Sequence, residues 1–241
     1  MQQLKDRVVL VTGAGSGLGA ATSRYLGESG AVVLAADIDS AAAEKVATSI
    51  VEAGGRAVGR FLDVTEPESA AQVVKEAVSE LGRLDALVNN AGVDATVPVE
   101  EMEIGVWDRI LDVNLRGPFL MSRAAFPVMR QAGGGHIVNI CSTASKRAWA
   151  NAAGYHASKW GLLGLSHALH VEGRSCNVAV TAVIAGGMRT PFLLDRFPDI
   201  DLNVLQDPGS VAQTIGFVLC QPEGSVIPEV TVLPRLETSW P

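Results

Sequence analysis

Short apolar, β-branched runs alternate along the whole chain with longer segments of helical periodicity, and this alternation limits the fold before any motif is considered. The runs fall at Val8 to Thr12, Val32 to Ala36, Ala57 to Leu62, Ala86 to Asn89, His136 to Ile140, Val178 to Val183 and Val226 to Val232, and they read as about seven strands. Between them, Gly17 to Glu28, Ala41 to Ala53, Glu68 to Leu81, Val106 to Gln131, Tyr155 to Glu172 and Gly209 to Cys220 read as helices. Strands separated by helices predict an α/β, doubly wound parallel sheet. Val8-Val9-Leu10-Val11 and Val32-Val33-Leu34-Ala35-Ala36 are apolar at every position. Both faces of the sheet therefore need a cover of helices.

A chain of 241 residues fits one such domain, spanning 1 to 241, and is short for two. Its one irregular stretch, 188 to 206, carries Phe192, Leu193, Leu194, Phe197, Ile200 and Leu202 without clear element boundaries and reads as a lid. With 19 basic and 26 acidic side chains and no basic run, nucleic acid and anionic membrane surfaces are poor partners. No apolar stretch reaches spanning length and no secretory leader is evident, so a cytoplasmic protein is expected. Cys141, Cys176 and Cys220 are far apart and lack a His cluster, which argues against a disulfide framework and against a metal site.

The first strand runs into Thr12-Gly13-Ala14-Gly15-Ser16-Gly17-Leu18-Gly19 and then directly into a helix. Glycines in that position let the backbone turn tightly and approach a phosphate, while the helix N-terminus offers free N–H groups and a dipole suited to an anion. The spacing Gly13-x3-Gly17-x-Gly19 differs from the common dinucleotide fingerprint, whose third glycine would fall on Leu18. Asp37 closes the second strand eighteen residues after Gly19, where the acid that reads a dinucleotide ribose belongs. A carboxylate there accepts from the adenosine 2′-OH and repels a 2′-phosphate. The expected cofactor is therefore NAD(H), held in a Rossmann-type fold.

Tyr155 and Lys159 are four apart in Tyr155-His156-Ala157-Ser158-Lys159 and so share a helix face. A tyrosine that exchanges protons near neutral pH needs a neighbouring positive charge. Asn89-Asn90-Ala91-Gly92 follows the fourth strand, Asn114 lies in Val113-Asn114, and Ser142 follows the fifth strand. In this order, together with the glycine loop and Tyr155-x3-Lys159, the set closely resembles the short-chain dehydrogenase/reductase family over about residues 6 to 220.

The resemblance implies roles residue by residue. Tyr155 would be the general acid/base, and Lys159 would lower its pKa and bond the nicotinamide ribose. Ser142 would hold the substrate oxygen, and Asn114 would anchor a water in a proton relay behind Lys159. Gly13, Ser16, Gly17, Leu18 and Gly19 would cradle the pyrophosphate. Asp63 and Val64 would meet adenine, Asn90, Ala91 and Gly92 the adenosine ribose, Ile140 the nicotinamide, and Gly186 and Thr190 the carboxamide region. Ala185-Gly186 replaces the family's Pro-Gly, a change expected to loosen that loop. His156 reads as a helix-surface residue, and Ser145 competes with Ser142 without sharing its spacing.

The apolar lid suits either an apolar or aromatic carbonyl or alcohol, or packing onto the domain. Trp160, Leu162, Leu163 and Leu165 suit either the core or a two-fold axis, and a homotetramer or homodimer is expected. The leading function is hydride transfer between NAD(H) and a secondary alcohol or ketone. A dinucleotide-binding sensor or scaffold without turnover is the alternative, and a nucleotide-sugar epimerase is disfavoured by the short chain after Thr190. The ending, Glu237-Thr238-Ser239-Trp240-Pro241, lacks the glycine-rich terminus of 3-oxoacyl-thioester reductases.

Overall fold

The computed structural model describes residues 4–222 and 224–237; the tail from Thr238 to Pro241 lies outside them. Seven strands form one sheet: β1 (Val8–Thr12), β2 (Val32–Asp37), β3 (Arg56–Phe61), β4 (Ala86–Asn89), β5 (Gly135–Ser142), β6 (Val178–Ala185) and β7 (Glu229–Val232). All neighbours pair in parallel, in the order β3-β2-β1-β4-β5-β6-β7. The chain winds outward from β1 to β3, then crosses back and winds the other way from β4. The reversal between β1 and β4 opens a crevice at their C-terminal ends, the place where ligands of such sheets bind.

Successive strand residues point to opposite faces, and each face has its own core. Val9, Val11, Val33 and Ala35 pack with Leu18, Val46, Ile50 and Ile215, which come from α1 (Gly17–Glu28), α2 (Ser40–Glu52) and α8 (Pro208–Leu219). Val8, Leu10, Leu34 and Ala36 pack with Val73, Ala77, Met121 and Met129 of α3 (Pro67–Leu81) and α5 (Gly117–Gln131). On that second side, Leu162 and Leu163 of α6 (Ala153–Gly173) meet Cys141, Ala182 and Ile184. Most of the sheet is thus buried twice, as its unbroken apolar runs require.

Three element boundaries depart from expectation in ways that shape the site. The segment read as one helix from Val106 is α4 (Ile104–Leu111) joined to α5 by a π-helical turn at Asp112–Arg116, where the Gly117 N–H donates to the Asp112 carbonyl five residues back. Pro118 supplies a reason: it has no N–H to offer the Asn114 carbonyl four residues upstream, so the regular ladder cannot run through. β5 runs on to Ser142, which makes that serine the last strand residue. Within 188–206 the chain forms α7 (Pro191–Leu194) and a 3-10 turn at Leu202–Val204. Both ends of that stretch are tied together, since the Arg189 N–H donates to the Gln206 carbonyl at 3.0 Å and the Gln206 N–H to Gly187 at 3.0 Å.

Ala185 also differs from expectation. It pairs with Ser142 on one side and Val232 on the other, and the Gly186 N–H donates to the Val232 carbonyl at 2.9 Å. The strand continues through the alanine, and the following residue is still tied to β7.

Candidate active site

A cavity of about 650 Å³ occupies the crevice at the C-terminal ends of β1, β4, β5 and β6. Its wall includes Gly13, Ser16, Gly17, Leu18, Asp37, Asp63, Val64, Asn90, Ala91, Gly92, Ile140, Ser142, Tyr155, Lys159, Gly186 and Thr190. Of the residues expected to serve the site, only Gly19 and Asn114 stand behind this wall.

At one end the glycine loop is built to leave room. Gly13 has φ of +64°, a conformation that side-chain-bearing residues adopt at a cost. A Cβ on Gly19 would lie 2.0 Å from the Gly13 carbonyl oxygen, so Gly19 lets α1 close onto the loop. Ser16 caps α1 with extended backbone and no side-chain bond to the first-turn N–H groups. Those donors face the cavity uncapped, which fits an anionic pyrophosphate. Thr12 and Asn90 hold the loop in place. The Thr12 hydroxyl accepts from the Asn90 and Ala91 N–H groups at 3.0 and 3.1 Å, and the Asn90 amide donates to the Thr12 and Gly13 carbonyls at 2.9 and 3.1 Å. Asn90 therefore acts on the loop itself, and Thr12 is a positioning residue that spacing alone did not single out.

The Asp37 carboxylate accepts from the Gly15 N–H at 2.8 Å and from the Asp39 N–H at 3.0 Å. One bond to each oxygen leaves further lone pairs open. Its neighbours in the wall, Ile38, Leu62, Asp63 and Val64, bring no positive charge. Asp63 in turn accepts from the Thr65 N–H and hydroxyl at 2.9 and 2.7 Å, which fixes the turn after β3.

At the other end Tyr155 and Lys159 project from the first turns of α6, both almost wholly buried. The Lys159 Nζ donates to the Ile140 carbonyl at 2.8 Å and lies 5.7 Å from the centre of the Tyr155 ring. Burial pushes the Tyr155 phenol up to about 12, while its hydrogen bond with Ser142 and the charge of Arg196 pull it down. The chain alone thus raises this tyrosine, the reverse of the direction expected from its lysine neighbour. Burial likewise drags the Lys159 ammonium below its ordinary range, against Cys141 and Asp94, which hold it up.

Ser142 is held by a reciprocal arrangement in which its hydroxyl accepts from the Ala144 N–H at 3.2 Å and the Ser145 hydroxyl accepts from the Ser142 N–H at 3.4 Å. Ser145 is fully buried beneath it and outside the cavity wall, so it supports Ser142 and does not compete with it. Asn114 sits in the π-helical turn, where Pro118 offers its carbonyl no N–H four residues on. Its side chain accepts from the Val93 N–H and donates to the Val93 carbonyl, both at 2.8 Å, and donates to Ser158 at 3.1 Å. A Cβ on Gly92 would stand 3.4 Å from the Asn114 Oδ1 and 3.8 Å from the Lys159 Nζ. Asn114 and Lys159 therefore converge on the same glycine.

Several wall residues were not legible as site residues in sequence. Asp94, after β4, pairs with Arg196 of the 188–206 stretch, whose guanidinium also stacks 4.6 Å from the Phe192 ring centre. Phe192 lies 6.0 Å from the Tyr155 ring, centre to centre. Trp149 forms wall from the loop before α6. His156, expected on the helix surface, is buried and bonded to that loop. Nothing in local spacing marks Asp94, Arg196 and Phe192, because their meeting depends on where the 188–206 stretch folds, while Trp149 and His156 are placed by the loop before α6.

A family model described as short chain dehydrogenase matches residues 7–201. A cyclohexanol dehydrogenase of Acinetobacter sp. (strain SE19) is 36% identical over 224 residues, covering 90% of this chain and 89% of its own. A short-chain dehydrogenase/reductase structure from Burkholderia xenovorans superposes with a TM-score of 0.90 at 32% identity over 97% of each chain. A metagenomic short-chain oxidoreductase, solved in complex with NADP, gives a TM-score of 0.84 at 35% identity, over 97% of this chain and 100% of that one. Fold, order of motifs and sequence likeness agree, and the chain belongs to the short-chain dehydrogenase/reductase family of oxidoreductases.

Proposed function

We propose that the chain is an NAD(H)-dependent alcohol dehydrogenase or carbonyl reductase acting on a ring-bearing secondary alcohol or ketone, with Tyr155 as its general acid/base. The carrying observation is the single cavity that joins the uncapped α1 N-terminus and Asp37 at one end to Ser142, Tyr155 and Lys159 at the other. The uncapped α1 N-terminus would hold the pyrophosphate of a dinucleotide, and Ile140 and Thr190 would flank its nicotinamide. When bound, a nicotinamide there would supply the hydride acceptor for the carbinol carbon, or the hydride donor for the carbonyl carbon.

The protein's own part is positioning and proton transfer. In oxidation Ser142 and Tyr155 hold the substrate oxygen, the Tyr155 phenolate accepts the hydroxyl proton, and the C–H electron pair leaves as hydride. In reduction the Tyr155 hydroxyl returns that proton to the oxygen. Lys159, fixed by the Ile140 carbonyl, would bond the nicotinamide ribose, and its positive charge would favour the Tyr155 phenolate. Asn114, behind Lys159, would anchor a water that connects Lys159 with solvent.

Asp37 supports NAD(H) over NADP(H), because a 2′-phosphate would meet a carboxylate without a compensating cation. The NADP in one structural relative makes this the point to measure first. Phe192, Leu193, Phe197 and Ile200, which line the same cavity as Tyr155, support an apolar ring as substrate, in line with the cyclohexanol relative. The half-exposed Trp160 on α6 and Phe119 on α5 support a homotetramer built on these helices, with a homodimer as the smaller assembly. Gel filtration at one-chain mass would remove that part.

The deciding assay follows NADH absorbance over a panel of cyclic and open-chain alcohols and ketones. Tyr155→Phe is expected to lose at least about a thousandfold in kcat, and full turnover by it would end the mechanism. The parent is expected to prefer NAD to NADP, with Asp37→Ala narrowing the preference.

A further inference from the structure

We infer that His156 is a positioning residue that holds Trp149 as one wall of the substrate pocket and so sets the enzyme's preference for ring-bearing substrates. This rests on the ring-substrate reading above and adds a residue to it.

Trp149 lies in the loop 146–152 between the turn carrying Ser142 to Ser145 and the start of α6. Both ends of the loop are tied by backbone bonds: Lys146 and Arg147 donate to the Thr143 carbonyl at 2.9 and 3.0 Å, and the Asn151 carbonyl accepts from the Val97 N–H at 2.8 Å. In the middle, the Trp149 N–H donates to the His156 Nε2 at 3.1 Å. Since Nε2 accepts, the ring proton of neutral His156 sits on Nδ1, which donates to the Ala144 carbonyl at 3.1 Å. The two nitrogens thus bridge the Ser142 turn to the loop. The rings of Trp149 and His156 meet edge to face, 4.3 Å between centres at 73°.

His156 follows Tyr155 directly on α6 and is only 9% exposed, whereas Trp149 is 43% exposed and lines the cavity. An aromatic wall that is so open to solvent needs an anchor to hold one orientation, and the buried imidazole is that anchor. Trp149 and Phe192 are the aromatic residues of the wall besides Tyr155 and Phe197. A six-membered ring has surface to gain from the indole; a three-carbon alcohol has little.

The test compares cyclohexanol with 2-propanol in the parent, His156→Ala, His156→Gln and Trp149→Ala, alongside amide hydrogen exchange at Trp149 followed by NMR on the cofactor-free protein. Glutamine keeps an acceptor at the reach of Nε2. Expected for His156→Ala is an about tenfold rise in KM for cyclohexanol, with kcat changed by less than about threefold and a much smaller KM rise for 2-propanol. Exchange at Trp149 quickens in the same variant, and His156→Gln restores both readouts. An unchanged KM ratio between the two alcohols, or unchanged exchange at Trp149, overturns the inference. Should His156→Ala fail to fold, Trp149→Ala leaves His156 intact and an unchanged KM ratio in it is equally fatal. A parent that turns over neither alcohol defeats the substrate reading instead, and the exchange measurement still decides whether His156 anchors Trp149.

Discussion

Acid should weaken the sheet at His136, near the start of β5. Its Nε2 donates to the Thr181 hydroxyl at 2.8 Å, and that hydroxyl donates to the Ile227 carbonyl at 2.7 Å, so the imidazole is held neutral inside the β5–β6 layer. Burial, helped by the charge of Arg7, pulls its pKa from 6.5 down to about 4. In the unfolded chain the residue takes up its proton near 6.5; in the folded chain it refuses it until about 4. The unfolded state therefore binds more protons across that window, and stability present above pH 6.5 is lost as the pH falls toward 4. At about 1.4 kcal/mol per pKa unit, the loss from this one residue reaches roughly 1.4 kcal/mol at pH 5.5 and between roughly 2 and 3 kcal/mol at pH 4.5. His136→Gln keeps an N–H donor at the reach of Nε2 and cannot titrate. Urea denaturation of both proteins at pH 7.5, 5.5 and 4.5 isolates the effect, because every other acid-sensitive group is shared. The parent should lose more than the variant by those amounts. Parallel losses would refute the assignment of a buried, neutral imidazole.

Other outcomes follow from the same geometry. Because burial puts Tyr155 near 12 and Ser142 pulls it down, kcat/KM for alcohol oxidation should climb with pH from 7 to 10, and Ser142→Ala should lower it throughout; a plateau already at pH 7 would assign the limiting proton elsewhere. Gly19→Ala places a Cβ on the Gly13 carbonyl and should cost at least about 2 kcal/mol in urea denaturation while weakening NADH binding, which fluorescence titration reads. Arg196→Gln should destabilise more than Asp94→Asn, by up to about 3 kcal/mol, because it strands the more deeply buried partner of the pair. Thermal denaturation of the two variants checks the order.

How much of this was legible in sequence depends on whether the determinant is local. The unbroken apolar runs of β1 and β2 announce burial on both faces, and the two separate cores confirm that reading residue by residue. The glycine loop was legible because glycine adopts the φ at Gly13 without a side chain's cost and allows the closeness at Gly19. Tyr155 and Lys159 were legible because helical pitch alone puts residues four apart on one face. The interruption at Asn114 was written in Pro118, four residues on, but inside a strongly helical segment the period outweighs one missing N–H.

Sequence by itself determined the parallel sheet, the glycine loop and the order of Asn114, Ser142, Tyr155 and Lys159, since each rests on backbone geometry or on short spacings. Tertiary structure decided the rest. Burial reversed the direction in which the Tyr155 pKa moves, a quantity set by everything packed around the ring. It turned His156 from a surface residue into a buried link between Ala144 and Trp149, and it brought Asp94 and Arg196 together from opposite sides of the cavity. The Tyr155 end of the cavity is where chain segments far apart in sequence meet, and for that reason no local pattern could have described it.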